Sequence, residues 1–325
     1  MDRYDLLKET SRSFFRVITS CGDPVYRDCL CTLYLLLRAL DTLEDDPLYP
    51  VPVRVVHTRE FVERFVYSAE VFDTSIEKCV RLMQNSSWLS REVSGMPASR
   101  REIVLETTRA MSLFMSESLE VSPVQLGTID ELHGYCFGVS GCLVRPLVSI
   151  RLDVSPALSL PSDSFLASFE KLACSLQMVN IIRDVKEDSE VQGRCYWPRS
   201  IVPVLGSASC IGVQHLNLMI SLAVETFAMS IPVMLHIAGG VGLKETLALP
   251  FPWEVMESLS ITIVSHLARM YDNPLVMQGR FTLDKADWAR CESGEYAESV
   301  AYYLDLIAGA GSGSALRALE ILRTP

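Results

Sequence analysis

Two stretches of this chain place charged side chains inside helical runs that are otherwise apolar. That combination restricts the fold more than any other feature. The first stretch is LYLLLRALDTLEDD, Leu33 to Asp46. Within it Tyr34, Arg38, Asp41 and Asp45 are spaced by four, three and four, which stacks them on one helical face. Glu44 follows Asp41 by three and points the same way. The second stretch is SLQMVNIIRDVKED, Ser175 to Asp188, where Gln177, Asn180, Asp184 and Asp188 are spaced by three, four and four. Glu187 joins that stripe and Arg183 lies on the adjacent face, while Leu176, Met178, Val179, Ile181, Ile182 and Val185 fill the rest. Charge buried without a partner is costly, so something must compensate each stripe, and a cation or the phosphates of a ligand would do so.

A single acidic cluster of this kind would read as solvated helix surface. Two of them, each preceded by an Arg and by polar residues in register, point to metal binding. Mg²⁺ is a hard ion that takes carboxylate oxygens, keeps several waters and bridges to substrate phosphates. Carboxylates one turn apart can share one or two such ions. Two such helices facing each other would clamp a diphosphate and neutralise it as a leaving group.

The rest of the chain carries helical periodicity and weak strand signals. Helices are expected over about residues 4–19, 25–45, 99–119, 129–150, 164–187, 213–235 and 255–271, with loops at 193–203 and 273–285. Pro24 suits the first turn of the second helix, and Pro47 and Pro50 stop it. There is no repeat of fixed period and no low-complexity linker, so one all-α domain spanning 1–325 is the simplest expectation.

Composition narrows the function classes. A net charge of −11 argues against a nucleic-acid partner, which calls for a basic patch or stripe. The ten cysteines include no CxxC pair and there are five histidines, a poor set for zinc. A start at MDRYDLLKET without a signal peptide is consistent with reduced thiols in a soluble, cytoplasmic protein. A mean hydropathy of +0.23 implies a large core or a greasy cavity. The greasiest window, 222–243, contains Glu225, Pro232 and a Gly-Gly pair, and reads as core helix and turn, not as a transmembrane anchor.

TSRSFFRVI from Thr10, LYLLLRALDTLEDD from Leu33, YCFGVSG from Tyr135, NIIRDVKED from Asn180 and GRCYWP from Gly193 lie in order along the chain. Together they resemble the squalene/phytoene synthase family, and squalene synthases most of all. The resemblance implies a class I isoprenoid (terpenoid) synthase helical bundle around a central cavity. It implies metal ligands at Asp41, Glu44 and Asp45 and at Asp184, Glu187 and Asp188. Arg12, Arg38 and Arg183 would contact diphosphate, and Ser11, Tyr34, Gln177 and Asn180 would be polar cavity residues. Tyr135 would handle a proton in the first half-reaction. Phe14, Leu37 and Phe137 fit either a cation-stabilising cavity wall or, more simply, plain core. The implied chemistry is condensation of two farnesyl diphosphates to presqualene diphosphate, then reductive rearrangement to squalene with NADPH, with peripheral membrane contact for product release.

Three features depart from that resemblance. Squalene synthases carry a basic cluster associated with NADPH where this chain reads GRFTLDKAD; Thr282 and Asp284 replace basic residues, leaving Lys285, with Arg280 nearby. An Asp beside a 2′-phosphate is unfavourable. The preceding helix, with MESLSITIV from Met256, lacks the Pro-Gln pair that usually lines the second-step cavity. The chain also starts just before the first helix and ends without an anchor. Alternatives are a class I lyase that cyclises one prenyl diphosphate, a presqualene-derived product made without NADPH, and an inactive helical binding protein.

Overall fold

The computed structural model describes residues 2–121, 125–203, 211–240, 242–279, 281, 283–293 and 296–324. In chain order the helices are α1 (Arg3–Thr10), α2 (Arg12–Thr19), α3 (Pro24–Asp45), α4 (Val51–Arg59), α5 (Val80–Met83), α6 (Ser86–Ser94) and α7 (Ala98–Glu120). There follow α8 (Ile129–Val139), α9 (Val144–Val154), α10 (Asp163–Arg183), α11 (Val185–Glu190), α12 (Val213–Ala228) and α13 (Ile231–Gly239). The chain closes with α14 (Leu243–Thr246), α15 (Trp253–Met270), α16 (Lys285–Ser293), α17 (Tyr296–Gly309) and α18 (Gly313–Arg323). No strand occurs among the described residues; a lone parallel bridge joins Gln125 to Cys195. The all-α expectation holds.

The helices pack as two compact units, neither of them one continuous stretch. One comprises residues 1–122, 145–160 and 248–252; the other comprises 123–144, 161–247 and 253–325. In the first unit α3 and α4 both pack on α7. Helix α3 starts where Asp23 accepts hydrogen bonds from the Val25 and Tyr26 N–H groups, with Pro24 in the first turn. Its Leu33, Leu35, Leu36, Leu40 and Leu43 are all buried. Each contributes about 1.5–3 kcal/mol by leaving water. In the second unit α10 packs on α8, α12 and α15, and α15, α17 and α18 pack in sequence. A buried network ties α15 to α16 and α17 there: Arg269 holds Asp287 (Nη2 to Oδ1 2.8 Å), which also accepts from the Tyr303 hydroxyl at 2.9 Å.

Four expected helices are broken. The first stops at Ser11, whose extended backbone (φ −158°) ends α1 and whose Oγ accepts from the Phe14 N–H to start α2. The stretch 129–150 is interrupted by a 3₁₀ turn at Gly141–Leu143, and 164–187 breaks at Asp184. The stretch 213–235 bends by 42° between α12 and α13, with Pro232 in the new helix's first turn. Helix α4, the π-helical turn Val62–Tyr67, α6 and the three C-terminal helices α16–α18 add to the expected set. Phe137 is 45 % exposed, so it is not core. By length and composition Ile129–Val154 and Asp163–Arg183 are apolar enough to cross a membrane, although half of the second is buried inside the protein. The nine described cysteines are free thiols.

Candidate active site

Helix α3 delivers the first stripe intact. Tyr34 stacks on Phe14 (centroids 4.7 Å apart) and is hydrogen-bonded to the Ser11 hydroxyl. Burial raises its phenol above the ordinary range, with the Ser11 contact and Arg38 pulling the other way. One turn on, Arg38 Nη1 meets Asp41 Oδ2 at 2.5 Å. Burial opposes the charge on Arg38, but the Asp41 carboxylate together with Cys79 and Tyr34 outweighs it, and the guanidinium is held above its usual value. Its Nε is buried with no hydrogen-bond partner among the described residues, and such an orphaned donor calls for an acceptor. Arg12 is exposed at the start of α2.

Carboxylate oxygens of Asp41, Glu44 and Asp45 all lie within 4.8 Å of one another, and Glu44 is buried. They occupy the last turn and a half of α3, where the helix dipole is negative and opposes further negative charge. Arg54 answers part of this by donating from Nη1 to the Glu44 carbonyl at 2.8 Å. The next acid, Asp46, turns away. Its fully buried carboxylate accepts from the Leu48 and Ser75 N–H groups (2.9 and 2.8 Å) and from the Thr74 and Ser75 hydroxyls. These hydrogen bonds outweigh burial and hold Asp46 below the usual carboxylate range.

The second stripe is built differently. Gln177 Oε1 accepts from Asn180 Nδ2 and from the Ser140 hydroxyl, each at 3.4 Å, so these polar groups form one patch. Helix α10 then ends at Asp184, and Arg183 folds onto that residue with Nε–Oδ1 at 2.8 Å and Nη2–Oδ2 at 2.6 Å. That fork raises the Arg183 guanidinium, burial opposing it and Glu187 and Asp188 adding to it. Glu187 is exposed and Asp188 half-buried on α11. Asp184, Glu187 and Asp188 do not form a group as tight as the first one. A cleft of about 450 Å³ beside them is lined by Arg183, Lys186, Glu190, Gln278 and Phe281, among others.

The loop after α11 returns to α10. The buried Trp197 donates from Nε1 to the Ile181 carbonyl at 3.3 Å. Tyr196 stacks on the half-buried Tyr135 with centroids 4.3 Å apart and accepts from Arg194 Nη1 at 3.2 Å. Residue-level reasoning did not single out Arg54, Asp46, Arg194, Tyr196 or Trp197. Only the quoted block GRCYWP pointed to the last three, as part of the resemblance. Lys285 is exposed at the start of α16. Asp284, one residue earlier, accepts from the Asp287 N–H at 2.8 Å and so caps that helix. Arg280 and Thr282 lie outside the described residues.

The first cluster suits a hard divalent ion. Mg²⁺ binds oxygens at about 2.0–2.1 Å, which puts its ligands at most about 4.2 Å apart. A separation of up to 4.8 Å needs only small side-chain rotations to reach that spacing. The set offers oxygen alone, which disfavours zinc.

The chain is similar to known proteins in sequence and in fold. The squalene/phytoene synthase family profile matches residues 7–206. Squalene synthase of Ganoderma lucidum is 30 % identical over 204 residues, covering 61 % of this chain and 43 % of that protein. Squalene synthase 1 of Panax ginseng is 34 % identical over 201 residues, covering 61 % and 46 %. This chain thus matches under half the length of these relatives. The structure of TcSQS in complex with the ligand E5700 superimposes with a TM-score of 0.80 at 23 % identity, covering 98 % of this chain and 95 % of that one, a likeness of fold. On its sequence motifs, its all-helical fold and the family match over residues 7–206, the chain belongs to the squalene/phytoene synthase family.

Proposed function

We propose that this protein is a Mg²⁺-dependent prenyltransferase that condenses two farnesyl diphosphates head to head through presqualene diphosphate to squalene, with NADPH for the reductive step. The observation that carries this reading is the tight Asp41–Glu44–Asp45 group beside Arg38, in a helix that is otherwise apolar. Asp41, Glu44 and Asp45 would hold Mg²⁺, with Asp184, Glu187 and Asp188 as the second proposed ligand set, and the metal would supply charge neutralisation for a departing diphosphate.

The chain's own residues do the rest. Arg38 and Arg183, and Arg12 from the exposed start of α2, hold diphosphate oxygens. The orphaned Arg38 Nε is a donor in waiting for such an oxygen. Tyr34, fixed by Phe14 and Ser11, and the Gln177–Asn180 patch orient the substrate. Cleavage of the C–O bond of one substrate gives an allylic cation, which the 2,3-double bond of the second attacks. Loss of a proton then closes the cyclopropane. Tyr135, held against Tyr196, is the group that receives or relays that proton. Phe14, stacked on Tyr34, would help to keep water from the cation.

One observation favours stopping short of squalene. Asp284 is committed to capping α16, and its charge stays beside Lys285, where a 2′-phosphate would need positive charge. Product analysis by mass spectrometry, with farnesyl diphosphate and Mg²⁺ in the presence and absence of NADPH, separates the readings. Squalene formed only with NADPH supports the full two-step reaction. A presqualene-type product indifferent to NADPH restricts the protein to the first step. A cyclic C15 product refutes head-to-head condensation.

A further inference from the structure

We infer that Asp46 is a positioning residue for the metal-binding carboxylates, tying the end of α3 to the segment 69–76 so that Glu44 and Asp45 are held in place; this rests on reading Asp41, Glu44 and Asp45 as Mg²⁺ ligands. By its sequence Asp46 is one more acid of the cluster. By its geometry it is excluded from ligation. A carboxylate offers about four lone-pair sites, and here each oxygen already accepts two hydrogen bonds. Oδ1 takes the Leu48 N–H and the Ser75 hydroxyl, and Oδ2 takes the Ser75 N–H and the Thr74 hydroxyl.

What Asp46 holds is itself stiff. Ser86 Oγ donates to the Ala69 carbonyl at 2.8 Å, where Ala69 has φ 52°. Arg64 forks onto Glu70 and lies over the Phe72 ring at 5.1 Å. Phe72 is buried, and the Tyr49 hydroxyl donates to the Asp73 carbonyl at 2.8 Å. The segment is thus anchored at 69, 70, 72 and 73 before it reaches Asp46 with Thr74 and Ser75. On the other side Arg54 grips the Glu44 carbonyl. The last turn of α3 is therefore held from both sides.

That turn has a reason to need holding. Three carboxylates at the negative end of a helix repel one another and the dipole, which favours fraying. Fraying would scatter ligands that must lie within a few tenths of an ångström of the metal geometry. Groups that orient metal ligands from behind typically change metal affinity by about 10–100-fold when removed.

The test is binding of Mn²⁺ with inorganic diphosphate to the full chain, followed by electron paramagnetic resonance titration, with circular dichroism melts alongside. Asp46→Asn keeps the size but loses acceptor capacity, and is expected to weaken Mn²⁺ binding about tenfold in protein that is still folded. Thr74→Val should weaken it in the same direction, while Thr74→Ser, which keeps the hydroxyl, should restore the wild-type value. Unchanged affinity in a folded Asp46→Asn protein, despite a lowered melting temperature, overturns the proposal and leaves Asp46 a structural cap. If Asp46→Asn does not fold, Thr74→Val decides in the same way. Asp41→Asn separates the two layers: if it binds Mn²⁺ as the wild type does, the metal assignment itself fails.

Discussion

The two acidic stripes share a spacing and differ in build. On α3 the helix runs unbroken through Asp45, and its three carboxylates stand within 4.8 Å of one another. On α10 the helix stops at Asp184, Arg183 closes on that residue, and Glu187 and Asp188 continue on a separate short helix. The difference lies in what holds each helix end. Asp46 and Arg54 brace the first, whereas the second gives way at the residue that would be its first ligand. The first stripe is organised before any ligand arrives. On the proposed roles, Asp184 would have to leave Arg183 before the one could act on metal and the other on diphosphate.

The sharpest way to break this comparison is to neutralise one acid in each stripe. Asp41→Asn should cut diphosphate release from farnesyl diphosphate by at least about a hundredfold without unfolding the protein. Asp184→Asn should do the same, and also loosen Arg183. Equal activity in either variant removes that residue from the metal site. Arg183→Lys tests the fork alone. A point charge cannot replace the two parallel hydrogen bonds, so kcat/KM should fall about tenfold or more.

Charge outside the stripes has a pH signature. Asp287 is held below the usual carboxylate range: burial opposes this, and Arg269 and Tyr303 more than offset it. Because its folded pKa is depressed, its stabilisation is present above about pH 4 and is lost as pH falls through the folded value. Melting temperature should therefore drop steeply below about pH 4. Asp287→Asn should lower stability at neutral pH and flatten that acid limb.

The smallest effect sharpens the comparison most finely. Without metal, Asp45→Asn relieves repulsion at the end of α3 and should raise the melting temperature by a few degrees at most, on the order of 0.5–1 kcal/mol. Glu187→Gln, on the open second stripe, should leave it unchanged. Thermal melts in chelator decide this, and a gain in Glu187→Gln instead would reverse the ranking.

The stripes themselves were legible because period 3.6 in an apolar background is a strong signal. The expected span of α3, 25–45, agrees with Pro24–Asp45 to within a residue. The breaks at Ser11 and Asp184 were not, since apolar periodicity runs through both points and tertiary contacts decide them. Ser11 leaves the helix to cap α2 and meet Tyr34, which lies 23 residues on. Asp46 looked like a ligand's neighbour, and only its pairing with Thr74, 28 residues away, shows another role. Likewise Asp284 reads as a charge in the wrong place until it is seen to cap α16. Local spacing places side chains on a face; what each one holds depends on residues that sequence distance hides.

The most direct test of the central claim is diphosphate release from farnesyl diphosphate, followed as a function of Mg²⁺ concentration in the wild-type chain and in Asp41→Asn. The account predicts release that requires Mg²⁺, appears together with a C30 product, and is lost in the variant. No release at saturating Mg²⁺, or release that Asp41→Asn leaves intact, would contradict it.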